Sequence, residues 1–182
     1  MNRAILALAD GRVFEGMGFG AEKTSTGEAC FNTSMTGYQE VLTDPSYRGQ
    51  IVTMTYPLIG NYGVNPSDAE SKQPHVRGFV VEELCEVPSN WRSEEGLDAY
   101  LKKWDIPGIQ GIDTRALTKY LRTTGAMQAV LTSDPSVTPE QAVQLAKDAP
   151  SMAGSDFVKE VSTKENYKWD EDDSESREWA LT

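Results

Sequence analysis

The residues able to do nucleophilic or metal chemistry are few and far apart in this sequence. His75 is the only histidine, so a Ser-His or Cys-His pair would have to use it, and Cys30 and Cys85 are the only cysteines. Cys85 follows the acidic run Glu82-Glu83, a setting that disfavours the reactive thiolate, and Cys30 lies in an apolar strand pattern. One histidine and two distant cysteines give no spacing typical of a metal site. We therefore expect inert thiols, no bound metal and a structural or solvated histidine.

A glycine-rich run, Gly16 to Ala21, matches the G-x-G-x-x-A pattern of dinucleotide-binding turns. Glu40 lies near the spacing of the acid that binds a ribose in such sites. The glycines of that motif must open a helix, because the pyrophosphate binds at the helix N-terminus, yet Glu22 to Gly27 has no apolar period. We predict instead that these glycines let a strand bend.

Residues 31–65 form a charge-poor window that contains four of the seven tyrosines. Its only charged residues are Glu40, Asp44 and Arg48. Thr, Tyr and Asn form hydrogen bonds without the desolvation cost of an ion, so the window is predicted to be a contact surface. Two motifs in it, residues 43–47 (TDPSY) and 60–65 (GNYGVN), have turn composition. Composition alone leaves open whether either turn is structural or binds a ligand.

Charge and hydropathy exclude several classes of protein. The net charge of -11 and the lack of a basic patch argue against binding to nucleic acid or to anionic membranes. The longest apolar run near the N-terminus, Ala4 to Ala9, is too short for a signal peptide or a membrane span. We therefore expect a cytoplasmic protein with reduced thiols. Much of the negative charge is local, since Asp170 to Glu178 holds six acids and one arginine.

The elements that position these residues are predicted to be strands first and mixed strands and helices later. Arg3 to Leu8 and Arg12 to Phe19 read as a hairpin around a type I′ turn at Asp10-Gly11. Further strands are predicted over 28–33, 51–55, 78–82 and 127–131, and helices capped by Ser93, Asp113 and Thr138. This order predicts one α/β domain over residues 1–155, with a mixed sheet covered by helices, and an acidic linker over 156–182.

Several motifs occur in a fixed order over roughly residues 3 to 169. They are Asp10-Gly11, Gly27-Glu28, FNTSMTGYQEVLTDPSYRGQIV, TYPLIGNYGVN, Asp68 with Glu70-Ser71, and GIDTRALTKYLR. Together they closely resemble the N-terminal domain of the small, glutamine-hydrolysing chain of carbamoyl phosphate synthase. The resemblance implies a β/β/α domain of the swivelling type. In that family a class I glutamine amidotransferase domain follows, with a Cys nucleophile in a Gly-x-Cys-x-Gly-x-Gln elbow and a His-Glu pair.

The same resemblance implies a role without catalytic residues in this chain. No Gly-x-Cys-x-Gly occurs in the sequence, which is expected to stop in the linker to the amidotransferase domain, so the chain alone should not hydrolyse glutamine. In the family, glutamine, bicarbonate and two ATP give carbamoyl phosphate for arginine and pyrimidine synthesis. The partner is the large synthetase subunit, which is expected to hold the ATP and Mg²⁺, so no cofactor is expected in this chain.

Three residues receive roles from the resemblance. In the family the serine of T-D-P-S-Y contacts glutamine bound by the amidotransferase domain, so Ser46 is expected to do so here. Ser34 and Met35 are expected near the path that carries ammonia to the large subunit. A path lined by uncharged groups suits ammonia, because strong acids would trap it as ammonium.

Two other functions stay open at this stage. The domain could be an independent, non-catalytic binding module that uses the same charge-poor surface for another ligand. A free-standing hydrolase using Ser46 with His75 would require the fold to bring the two side chains together, and no nucleophile elbow surrounds Ser46.

Overall fold

A seven-stranded closed sheet forms the centre of the molecule in a computed structural model, which describes residues 2–152 and 154–166. The strands are β1 (Arg3–Leu8), β2 (Val13–Gly20), β3 (Thr24–Asn32), β4 (Gln50–Met54), β5 (Leu58–Ile59), β6 (Gly78–Val80), β7 (Glu83–Leu84), β8 (Pro107–Gln110) and β9 (Met127–Thr132). The helices are α1 (Tyr38–Thr43), α2 (Leu97–Lys103), α3 (Thr114–Thr124), α4 (Pro139–Asp148) and α5 (Val158–Val161), with 3₁₀ turns at Pro45–Tyr47 and Pro66–Asp68.

The closed sheet is mixed, as the sequence predicts. Its order is β1-β2-β8-β6-β4-β3-β9, and β9 pairs with β1 to close it. The four neighbours β3, β4, β6 and β8 run parallel to one another, and the remaining pairings are antiparallel. Strands β5 and β7 form a separate parallel pair. The α/β class is therefore confirmed.

Alternating side chains of strand β1 pack in two different hydrophobic clusters. Along β1, Ala4, Leu6 and Leu8 pack in the cluster shared by the strands of the closed sheet, and Leu117 and Leu121 of α3 belong to the same cluster. The residues between them on β1 instead pack under α4. A third cluster lies beneath α1 and α2 and includes Phe19, Tyr38, Leu42, Met54, Phe79, Leu97 and Leu101. Strand β1 is thus buried on both faces, with α4 covering one of them.

The first hairpin has a three-residue loop, so the predicted type I′ turn is wrong. A type I′ turn needs positive φ at both central residues. Gly11 has φ 103, but among the described non-glycine residues only Asp105 has a positive φ. The amide of Leu8 donates to the carbonyl of Arg12 at 2.8 Å, and the amide of Gly11 donates to the carbonyl of Leu8 at 3.0 Å. This is a type I turn followed by a glycine bulge.

Helix α2 begins later than predicted. Its N-cap is Gly96 rather than Ser93, because Glu95 pairs its backbone with that of Val64 in an antiparallel bridge. Leu97, the first helical residue, is buried, whereas Trp104 at the C-cap is 37% exposed. Extended pairing of the first residues therefore overrides the helical pattern there.

The caps predicted for α3 and α4 are confirmed. Asp113 accepts a hydrogen bond from the amide of Ala116 at 2.7 Å. Thr138 and Gln141 form a reciprocal capping box at the start of α4, with a proline at the first helical position. Helix α3 ends at Gly125, which has φ 92.

Most of the predicted acidic linker, including the run Asp170 to Glu178, lies outside the described residues. The described part of the range 156–182 contains α5, and the boundary at residue 155 stays a prediction. In residues 2–152 and 154–166, no helix is long and apolar enough to cross a membrane.

Candidate functional site

The charge-poor window is only partly a surface. Its helix α1 and strand β4 belong to the core, and Tyr38, Leu42, Ile51 and Met54 are fully buried. Burial therefore explains much of the missing charge, and the expectation that the whole window is a contact surface is too broad. Apart from Asn61 in the GNYGVN motif, the exposed residues of the window are 33–36, Ser46 and 56–57. We call residues 33–36, Ser46 and residues 56–57 the polar edge.

Parallel pairing places two segments of the polar edge side by side. Strands β3 and β4 run in the same direction with Asn32 opposite Met54, so the chain leaves both strands at the same edge of the sheet. The amide of Thr55 donates to the carbonyl of Asn32 at 3.0 Å and continues the pairing by one residue. Ser34 and Met35 follow β3 directly, and the Met35 side chain is 71% exposed.

Ser46 lies on a short, strongly restrained turn. It is the middle residue of the 3₁₀ turn Pro45–Tyr47, where proline fixes φ at the first position. The Asp44 carboxylate accepts a hydrogen bond from the Ser46 amide at 2.8 Å, and the Asp44 carbonyl accepts one from the Tyr47 amide at 3.1 Å. Ser46 itself is exposed. The turn therefore presents the Ser46 side chain to solvent on a backbone with little freedom.

Asn32 joins the predicted ammonia-path residues to the turn of Ser46. Its side-chain amide donates to the Tyr47 hydroxyl at 2.9 Å, and its side-chain oxygen accepts from the Ser34 amide at 2.7 Å. One side chain thus holds the backbone of Ser34 and the neighbour of Ser46 in a common arrangement. Our sequence reasoning did not single out Asn32. The available signal was its place at the end of a predicted strand and next to Thr33 in the charge-poor window.

Tyr62 anchors helix α1 from a distant loop. Its hydroxyl accepts hydrogen bonds from the amides of Gly37 and Tyr38 at 2.6 and 3.1 Å, and its ring stacks on Tyr38 with centroids 4.2 Å apart. The N-cap residue of α1 is a glycine without a side-chain cap, so Tyr62 supplies the acceptor that a capping side chain normally provides. Sequence reasoning missed both α1 and this contact.

The GNYGVN motif forms a left-handed turn with contacts to other parts of the fold, which is the structural alternative that its composition left open. Gly60 and Gly63 have φ of 97 and 69, and a Cβ on Gly63 would lie 1.9 Å from Ser93 Oγ. The Gly63 carbonyl accepts from the Tyr38 hydroxyl at 2.6 Å. Asn65 exchanges two hydrogen bonds with the buried Gln39 side chain. The motif therefore fixes α1, which leads into the Ser46 turn.

The glycine-rich run lies in strand β2, as predicted, and no helix follows it. A Cβ on Gly16 would lie 2.2 Å from the Gln110 carbonyl oxygen, and one on Gly20 would lie 2.4 Å from the Ile106 carbonyl oxygen. These glycines allow β2 to approach closely both β8 and Ile106, the residue just before β8.

His75 is bonded to a serine other than Ser46. The His75 side chain is buried, and its Nε2 lies 3.0 Å from Ser71 Oγ. Ser71 directs its hydroxyl toward the carbonyl of Thr43 at 2.7 Å, so its oxygen is free to accept from Nε2–H. Burial, and then the nearby Arg48 cation, hold the pKa of His75 below its usual value. The ring is thus a neutral, structurally bonded group, as one of our two expectations held.

The thiols show no feature of a reactive pair. Burial, followed by the charge of Glu28, raises the pKa of Cys30 to about 12. The Cys85 thiol points at the Val87 carbonyl at 3.3 Å. In the described part of the chain, no group of His, Cys, Asp and Glu side chains could hold a metal ion.

The family model described as carbamoyl-phosphate synthase small chain, CPSase domain, matches residues 6–131. This match covers more than half of the sequence. The chain belongs to the carbamoyl phosphate synthase small-chain family.

Individual relatives support the same assignment. Carbamoyl phosphate synthase small chains from Syntrophotalea carbinolica and Akkermansia muciniphila are each 62% identical, over 93% and 88% of this chain. The small chain from Aquifex aeolicus is 53% identical over 96% of it. These matches cover only 45%, 43% and 47% of the relatives. The chain thus spans a little under half the length of the curated relatives it matches.

Proposed function

We propose that this chain is the N-terminal part of the small subunit of glutamine-hydrolysing carbamoyl phosphate synthase, with a swivelling-type β/β/α fold. In the complete enzyme it docks the large synthetase subunit and completes the glutamine pocket of the amidotransferase domain. The observation that carries the proposal is the placement of Ser46, which is exposed on a restrained turn and tied through Asn32 to the Ser34 segment.

The chemistry of Ser46 suits the proposed contact with glutamine. Its hydroxyl is one donor and two acceptors, so it can bond either the ammonium or the carboxylate of an amino acid. The backbone of the turn is fixed by Pro45 and Asp44 before any ligand arrives. A preformed group loses little conformational entropy on binding, which favours the bound state. Ser46 therefore orients glutamine, and hydrolysis belongs to the Cys-His-Glu residues of the amidotransferase domain.

The polar edge also suits the proposed passage of ammonia. Residues 33–36 are exposed and carry no charged side chain. Neutral ammonia crosses such a surface without becoming trapped as ammonium beside a carboxylate. Ser34 and Met35 therefore form part of the wall of the ammonia path, and the large subunit, which holds ATP and Mg²⁺, covers this wall. The carbamoyl phosphate formed serves arginine and pyrimidine synthesis in the cytoplasm.

Docking to the large subunit tests the proposal. In isothermal titration calorimetry, the complete small subunit should bind the large subunit, and Met35→Lys should weaken binding because a cation enters an uncharged contact. Leu145→Lys is the matched control, since Leu145 is also partly exposed but lies on α4, which packs on β1 and β9. Absence of binding by the unaltered subunit would overturn the proposal. Equal loss of affinity in both variants would show that the polar edge is not a specific part of the docking interface.

A further inference from the structure

A segment beyond the residues matched by the family model contacts the turn of Ser46. Arg48, two positions after Ser46, donates from Nε and Nη2 to one carboxylate oxygen of Glu160 in α5, at 2.9 and 2.6 Å. The two residues are 112 positions apart. The family match ends at residue 131, so α5 lies outside it. This ion pair joins the start of the predicted linker to the proposed glutamine-contacting turn.

A second contact, between Phe157 and Gly49, lies beside the ion pair. Gly49 is buried and has φ 86, and a Cβ at this position would lie 2.8 Å from the Phe157 ring. The ring therefore packs directly on the backbone of Gly49. Glycine is required here twice, for the left-handed conformation and for the close approach of the ring.

The turn is held on a second side by the sheet. Tyr47 accepts from Asn32 of β3, and the Gly49 carbonyl accepts from the amide of Glu28 at 3.1 Å. Residues on both sides of Arg48 are thus attached to β3, while Arg48 and Gly49 themselves contact the α5 segment. The backbone that carries Ser46 is therefore held by β3 on one side and by the α5 segment on the other.

The ion pair between Arg48 and Glu160 is expected to add little to the stability of the fold. The Arg48 and Glu160 side chains are 26% and 46% exposed, and ion pairs at such sites contribute little to the free energy of unfolding. Holding Arg48 still, however, restricts the residue that ends the 3₁₀ turn, because the Arg48 amide donates to the Pro45 carbonyl at 3.1 Å. The contact therefore acts on the position of the turn more than on the stability of the fold.

We propose that Phe157 and Glu160 are positioning residues for glutamine binding, which hold the Ser46 turn in place through Gly49 and Arg48. The inference rests on the proposed function, since it assigns these residues to the same glutamine contact. It extends the glutamine site from the sheet domain into the segment that follows it.

The test uses the complete small subunit assembled with its large subunit. Glu160→Gln keeps the size of the side chain and removes its charge, and it should raise the KM for glutamine about two- to fivefold. The ammonia-dependent rate and the melting temperature should stay unchanged. The charge exchange Arg48→Glu with Glu160→Arg should return the KM toward that of the unaltered enzyme. Lys159→Ala is the matched control, since Lys159 lies on the same helix and pairs with Asp156 instead.

Ser46→Ala, measured in parallel, separates the two proposals. A raised KM in Ser46→Ala with an unchanged KM in Glu160→Gln would overturn the positioning role alone. An unchanged KM in both would overturn the glutamine-contacting role of Ser46 and the inference with it. Equal losses of glutamine- and ammonia-dependent rates in Glu160→Gln would show a structural role and overturn the inference as well.

Discussion

Asn32 and Tyr47 connect the end of strand β3 to the turn that carries Ser46, through a 2.9 Å hydrogen bond from the Asn32 side-chain amide to the Tyr47 hydroxyl. The Asn32 oxygen meanwhile accepts from the Ser34 amide. The sheet therefore sets the relative position of the two segments to which we assign glutamine and ammonia. Rigid elements of this kind are expected to place binding groups accurately.

Removing the Asn32 contact should affect both binding and stability. Asn32→Ala loses two hydrogen bonds, so we expect the free energy of unfolding to fall by about 1 to 3 kcal/mol and the KM for glutamine to rise. Tyr47→Phe retains the ring and removes only the acceptor for Asn32, and it should show a smaller change of the same sign. Urea denaturation and steady-state kinetics measure the two effects. A KM unchanged in both variants would show that this contact does not position Ser46.

Loss of the Tyr62 hydroxyl should destabilise the start of α1. In Tyr62→Phe the amides of Gly37 and Tyr38 lose their acceptor while the ring can still stack on Tyr38. The expected loss in the free energy of unfolding is about 1 to 2 kcal/mol, the range for losing a helix cap. Tyr56→Phe is the control, because Tyr56 is partly exposed in the polar edge. Equal urea midpoints for the Tyr62 variant and the unaltered chain would contradict the capping role.

Acidification should destabilise the fold through His75. Its pKa in the folded chain lies below the unfolded value because the ring is buried and Arg48 is near, although Asp44 opposes this. As the pH falls below about 6.5, the unfolded chain binds a proton first, so the free energy of unfolding decreases until the folded pKa is passed.

His75→Gln isolates that contribution, because Gln can still donate to Ser71 but does not titrate. Urea denaturation at several pH values gives the free energy of unfolding. Between about pH 7.5 and about pH 5.5 this free energy should fall less steeply in the variant, by at most about 1.4 kcal/mol per pH unit. Parallel pH profiles for the two proteins would show that His75 titrates alike in both states.

Sequence patterns predicted the elements whose signals are local. The caps at Asp113 and Thr138 need only neighbouring residues, and both were predicted correctly. Helix α1 was missed because its amides are capped by Tyr62 from a distant loop and its first turn lacks a capping side chain. Strand β8 is absent from the predicted strands, since a four-residue buried strand shows no alternation of apolar and polar residues.

In the candidate site too, sequence motifs pointed to some residues, whereas contacts between distant parts of the chain gave no signal. The resemblance named Ser34, Met35 and Ser46 on motif grounds, and the structure describes all three as exposed. Asn32 was missed because its role follows from two long-range placements, the parallel pairing of β3 with β4 and the packing of Tyr47. The contact between Arg48 and Glu160 joins residues whose separation gives no sequence signal.

The most direct measurement is the KM of the Ser46→Ala enzyme for glutamine, compared with its rate when ammonia is supplied instead. Loss of one neutral hydrogen bond, about 0.5 to 1.5 kcal/mol, predicts a KM about 2 to 12 times higher. The ammonia-dependent rate should be nearly unchanged, because ammonia bypasses the glutamine pocket. Equal losses with glutamine and with ammonia, or no change with either, would contradict the account.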